Sequence, residues 1–117
     1  TIDCVASHHQ PHEWDSKVCE FEYAQYGMEG LETCFAAVNS LFEGIDPARL
    51  AAWFSYRPAA IFGLGYSSIQ KNNRGNATLF HTLRQNIPTS STLQSASSNN
   101  AFLEKVLKGV IFETFCY

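Results

Sequence analysis

Apolar residues recur at two different periods along the chain, and the period changes mark its elements. Over residues 1–7, Ile2, Cys4 and Ala6 fall on one side and Val5 on the other, which is the spacing of a short buried strand. From about Glu29, the residues Leu31, Cys34, Phe35, Val38, Leu41 and Phe42 recur at helical spacing, and Gly44 suits the position that ends a helix. Asp46-Pro47 opens a second helix, with Asp as cap and Pro at the first helical position; Leu50, Trp53 and Phe54 give it an apolar face. Arg57-Pro58 restarts a short helix through Ala59, Ala60, Ile61 and Phe62, and Gly63 and Gly65 stop it. Beyond it, Ala77 to Thr82 reads as a strand and Val106 to Tyr117 as a longer one, apolar on both faces.

Two stretches lack either period. His8 to about Tyr26 is a polar, charged loop whose Trp14, Phe21, Tyr23 and Tyr26 predict that it packs down on the body. Thr89 to Asn100 is rich in Ser, Thr and Asn and reads as a long solvent-exposed loop. The order is strand, loop, two or three helices and a β-rich tail, an α+β arrangement without internal repeats. A lone strand cannot satisfy its own hydrogen bonds. Residues 1–7 are therefore expected to pair with an upstream segment, with the tail, or with another copy of the chain.

Composition narrows the function classes. The 117 residues amount to one domain, and 45% apolar with 14% aromatic content is enough for a packed core. The net charge of −3, with eight scattered Lys and Arg, argues against nucleic acid as a partner. No apolar run approaches a membrane span, and no signal peptide is recognisable. Cys4, Cys19, Cys34 and Cys116 show no C-x-x-C spacing and are expected to be reduced, mostly buried thiols of a cytoplasmic protein. In that compartment the glycosylation pattern Asn76-Ala77-Thr78 is inert. Because the chain opens inside a strand-like run, it is expected to be a piece of a larger protein.

The chemistry gathers in Ser7-His8-His9-Gln10-Pro11-His12, which reads as the rim of an active site. A site needs groups from several parts of a fold, and no second cluster of comparable chemistry follows. Pro11 prevents the helix that would align His8 with His12, so no metal site made by this chain alone is expected. His81 is expected to be satisfied or half-exposed, and Trp53 and the Phe residues at helical spacing to be core. Ser67-Ser68 and the serines at 90–98 lack the setting of an activated nucleophile.

Four blocks resemble the C-terminal part of dihydroorotase, in the cyclic-amide branch of the amidohydrolases. Ala6-Ser7-His8-His9-Gln10-Pro11-His12 resembles the family's Ala-Thr-Asp-His-Ala-Pro-His. Tyr26-Gly27-Met28-Glu29-Gly30-Leu31-Glu32-Thr33 is similar to Phe-Gly-Ile-x-Gly-Leu-Glu-Thr, and Arg57-Pro58-Ala59-Ala60-Ile61-Phe62-Gly63-Leu64 to Asn-Pro-Ala-Arg-Ile-Phe-Gly-Leu. In the fourth block, between Ser95 and Phe115, Asn99-Asn100-Ala101-Phe102 and Leu107-Lys108-Gly109-Val110 resemble Asn-Ser-Pro-Phe and Leu-Lys-Gly-Lys. The blocks stand in family order and cover nearly the whole chain. Allantoinases and dihydropyrimidinases share parts of the third block.

The resemblance implies a (β/α)₈ barrel with a small β-sandwich. Residues 1–63 would be the last barrel strand, the active-site loop and the closing helices. Residues 64–117 would be the C-terminal share of the sandwich. A barrel needs about 250 residues, so this chain would hold only its final strand-helix unit and would be inactive alone. The implied activity of the parent is zinc-dependent interconversion of dihydroorotate and carbamoyl-aspartate. His8 stands where the family has the Asp that touches the metal centre and accepts a proton. His12 matches the histidine that binds the substrate carboxylate, and Gly27 the segment touching the substrate ring. The zinc of the full-length family is not expected for this piece. The partners implied are the rest of the barrel or another copy, or aspartate transcarbamoylase if the parent is a non-catalytic homologue kept for assembly.

Overall fold

A computed structural model describes residues 2–65, 68–72 and 74–116. Its first regular element is a single 3-10 turn, Trp14–Ser16. Helix α1 is Cys34–Leu41 and α2 is Pro47–Ala51. Asp46 caps α2: its backbone is extended and its carboxylate accepts the Ala48 N–H at 2.9 Å. The helix does not stop and restart as the sequence suggests. It continues through a π-helical stretch, Ala52–Tyr56, into α3, Arg57–Ile61. Pro58 supplies the reason, because in an α-helix its ring would press on the Phe54 carbonyl and one wider turn ahead of it relieves the clash. Gly44 and Gly63 close their helices with φ +75 and +65, as expected.

The tail forms one antiparallel pair, β1 Ala77–Asn86 with β2 Leu107–Phe115, from Ala77 opposite Phe115 to Asn86 opposite Leu107, with a first slip between Leu79 and Phe80. β1 is longer than its sequence predicts. Between His81 and Gln85 the register slips, so residues 82–84 bulge away from the ladder. Helix α1 patches the break. The buried Asn39 amide donates to the Thr82 and Lys108 carbonyls at 2.8 and 2.9 Å, and the Ser40 hydroxyl accepts the Lys108 N–H at 2.7 Å. Gly109 lets α1 come this close: it sits at φ +115, and a Cβ there would lie 3.1 Å from the Phe35 ring and 3.2 Å from the Asn39 amide nitrogen. His81 is exposed, and its Nδ1 accepts the Leu83 and Arg84 N–H groups inside the bulge.

The core lies where α1 crosses β2 and the 47–61 helix. Ala36, Leu50, Ala52, Trp53 and Leu107 are buried, and Phe35 packs edge-on against Phe54 and Phe80 with ring centres 5.8 and 5.1 Å apart. Phe42 packs the same way on Trp53.

Several expectations change. Residues 2–7 form no strand (Thr1 and Tyr117 lie outside the described residues, as does Ser67). The tail strands pair with each other, which leaves the first segment without a ladder. It is held instead by Val5 N–H on the Trp53 carbonyl at 3.2 Å, and by Trp53 Nε1 and Arg57 Nη1 on the Ile2 carbonyl at 3.0 Å each. The helical spacing from Glu29 becomes helix only at Cys34, because Glu29 and Gly30 are bonded to other loops. The aromatic loop does not pack down: Trp14, Phe21 and Tyr26 are 72%, 92% and 88% exposed. Among the described residues the four cysteines are free, but Cys19 and Cys116 are exposed rather than buried, and Cys4 and Cys34 are half-buried. No described helix is long and apolar enough to cross a membrane.

Candidate functional site

Three segments far apart in sequence meet around the histidine loop. Gln10 N–H donates to the Met28 carbonyl at 2.9 Å, and Glu29 N–H to the Asn99 carbonyl at 2.8 Å. His12 Nε2 bonds the Tyr26 carbonyl at 2.8 Å, which requires that nitrogen to carry the proton. The Ser97 hydroxyl donates to the His12 carbonyl at 2.7 Å. The exposed Ser/Thr/Asn loop of the sequence is thus the third wall of the site. Its 94–95 stretch is fixed by Glu32, whose carboxylate accepts the Gln94 and Ser95 N–H groups at 2.8 to 3.0 Å. A cleft of about 240 Å³ opens between the histidine loop and the 96–100 stretch, with His12, Trp14, Lys17, Ser97 and Asn99 among its lining residues.

Each sequence-predicted site residue has a definite place. His12 lines the cleft with one ring nitrogen already committed. Gly27 sits at φ +108, and a Cβ there would fall 2.5 Å from the Gln10 Cβ, so the turn closes on the histidine loop only as glycine. Its carbonyl accepts from Lys17 Nζ at 2.7 Å and Asn99 Nδ2 at 3.1 Å. His8 is exposed and does not line the cleft. Its φ of +47 is a left-handed conformation that non-glycine residues adopt at a cost, and such strain concentrates at functional loops. The structure therefore brings His12 and Gly27 together and leaves His8 beside them.

Glu29, which the sequence reading passes over, is the anchor beneath these loops. It is fully buried. One carboxylate oxygen accepts the Glu32 N–H at 3.1 Å and the other the Asn100 amide, which also reaches the Thr33 hydroxyl at 3.0 Å. His9 Nδ1 lies 3.6 Å from the first oxygen and 3.4 and 3.3 Å from the Gly30 and Leu31 nitrogens. A neutral His9 accepts from the backbone with that nitrogen; only a protonated ring makes it an ion-pair partner of Glu29. The backbone geometry favours the first arrangement, since two amides already point at Nδ1. The sequence signal for Glu29 was a lone carboxylate between two glycines ahead of an apolar helix. For Lys17 and Asn99 no such signal exists, because their partners are backbone carbonyls.

Among the described residues no three of His, Cys, Asp and Glu stand together as metal ligands. The donors at the rim among the described residues therefore do not fit a zinc ion by themselves, and the His12 ring, the Ser97 hydroxyl and the Asn99 amide are hydrogen-bonded within the chain.

No protein-family model matches the chain. It is 34% identical over 111 residues to the dihydroorotase of Trichlorobacter lovleyi and 35% identical over 118 residues to that of Elusimicrobium minutum. A third dihydroorotase, from Caldicellulosiruptor saccharolyticus, is 28% identical over 119 residues. These alignments take in 93%, 98% and 99% of this chain. The chain spans only about a quarter of the length of those relatives, 26% of the first and 27% of the others.

Proposed function

We propose that this chain is the C-terminal quarter of a dihydroorotase-type amidohydrolase and supplies one wall of its active site. One observation carries the reading. The blocks at 6–12, 26–33 and 95–102, separate in sequence and each similar to the family, are bonded to one another, and the first and third meet at one cleft. Unrelated similarity would have no reason to converge in space.

In this reading residues 1–63 close the barrel and 64–117 join the sandwich. The extended segment at 2–7 gains its ladder partners from barrel strands that lie in the remaining three quarters of the protein. His12 receives the substrate carboxylate and the Gly27 turn borders the ring. The metal centre, zinc in the family, depends on ligands from that remainder, so the isolated chain is inactive. The parent acts in the cytoplasm on dihydroorotate and carbamoyl-aspartate, with another cyclic amide of the allantoinase or dihydropyrimidinase type as the alternative substrate.

His8 favours a second reading, a non-catalytic homologue that serves assembly with aspartate transcarbamoylase. A carboxylate at that position brings negative charge and takes a proton without becoming cationic. An imidazole does neither. A chimera tests the first. The matching quarter of the Elusimicrobium minutum dihydroorotase is replaced by this chain, with His8 or with His8→Asp, and ring opening of dihydroorotate is assayed. The first reading expects turnover in the His8→Asp chimera, reduced about 100-fold or more with His8, the scale of losing a general base. A folded His8→Asp chimera without turnover contradicts it.

A further inference from the structure

The Gly27 carbonyl is gripped from two sides, by the Lys17 ammonium at 2.7 Å and the Asn99 amide at 3.1 Å. The same ammonium also donates to the Gln25 carbonyl. Lys17 has no acidic partner among the described residues, and its charge goes to two carbonyls of one turn. Lysine is ordinarily a mobile, fully hydrated surface cation. Half-buried here, it spans the loop after the histidines and the turn at 25–28. Gly27 has no side chain with which to hold itself at φ +108, so its peptide plane is set from outside. The flanking bonds, Gln10 N–H to Met28 and Glu29 N–H to Asn99, exist only while that turn stays in place.

We propose that Lys17 is a positioning residue: its ammonium locks the 25–28 turn against the histidine loop, so that the cleft beside His12 meets a small carboxylate ligand preformed. The ligand rests on the dihydroorotase-type reading; the lock rests on the geometry alone. Methionine keeps the length of the side chain without its donors, whereas arginine has donors enough for both carbonyls.

The 117-residue chain is compared with its Lys17→Met and Lys17→Arg variants by residue-resolved amide exchange and by NMR titration with carbamoyl-aspartate. The expected result is exchange about tenfold or more faster at Gln10 and Glu29 in Lys17→Met, the scale of one lost charged hydrogen bond. The β2 amides should be unchanged, Lys17→Arg should restore protection, and carbamoyl-aspartate should bind about tenfold more weakly to Lys17→Met. Unaltered exchange at Gln10 and Glu29 overturns the lock. So does acceleration spread equally through β2, which would make Lys17 a general stabiliser. If exchange behaves as expected but the unsubstituted chain ignores carbamoyl-aspartate at millimolar concentration, the lock stands and the preformed carboxylate cleft is overturned, while the dihydroorotase-type reading is tested separately by the chimera.

Discussion

Glu29 and Asn100 form the least dispensable contact of the rim, because a fully buried carboxylate cannot fall back on water. Asn100→Leu should cost about 2 kcal/mol in chemical denaturation, the value of a hydrogen bond to a charged group. An undiminished midpoint would show that Glu29 is satisfied without it. Gly27→Ala should cost at least about 1 kcal/mol, since alanine resists φ +108 and its methyl would overlap Gln10. Amide protection lost first at Gln10 would place the damage. Burial raises the Cys34 thiol above its ordinary pKa. Timed alkylation with mass spectrometry should therefore label the exposed Cys19 and Cys116 well before Cys34.

Helix α1 is the element that joins the site to the tail, by Thr33 under the rim at one end and Asn39 and Ser40 in the sheet bulge at the other. Asn39→Ala removes both carbonyl contacts at the bulge and should cost about 1–3 kcal/mol, read from the thermal midpoint of the sheet signal. Glu43, just past α1, is held below the usual carboxylate range by its hydrogen bond to Lys108 and then by that charge. Its folded pKa is depressed, so its small contribution is present above the ordinary carboxylate pKa and fades as pH falls through the folded value. Glu43→Gln should thus melt slightly lower at neutral pH and alike at strongly acid pH. The α+β order, the Asp46-Pro47 cap, the helix-ending glycines and both tail strands were legible because each rests on local chemistry. The first segment and the exposed aromatic loop are unpaired and unburied in this chain: sequence shows that a segment is apolar, and its partners decide whether it is paired or buried. That the His12 ring bonds the Tyr26 end of the Gly27 turn carries no signal in spacing or composition; only the resemblance names both segments. The Glu29, Lys17 and Asn99 contacts were not legible, since they bond backbone atoms and residues up to 72 positions away.

At the scale of the whole molecule, the core is small for so apolar a chain. Among the described residues five hydrophobic side chains are buried, while Phe21, Tyr26, Ile69, Leu41 and Leu83 stand mostly in solvent. Soluble monomers seldom leave so much large apolar surface open. Among the described residues the two-stranded sheet has no third strand, and the 2–7 segment has no strand beside it. Both facts fit a chain spanning 27% of a relative such as the Elusimicrobium minutum dihydroorotase. Whether this surface has that complement is directly measurable. The part of the relative that this chain does not match is expressed separately, mixed with it, and followed by sedimentation velocity. The account predicts a stable one-to-one complex with the exposed aromatics newly protected from solvent; two species that sediment independently would contradict it.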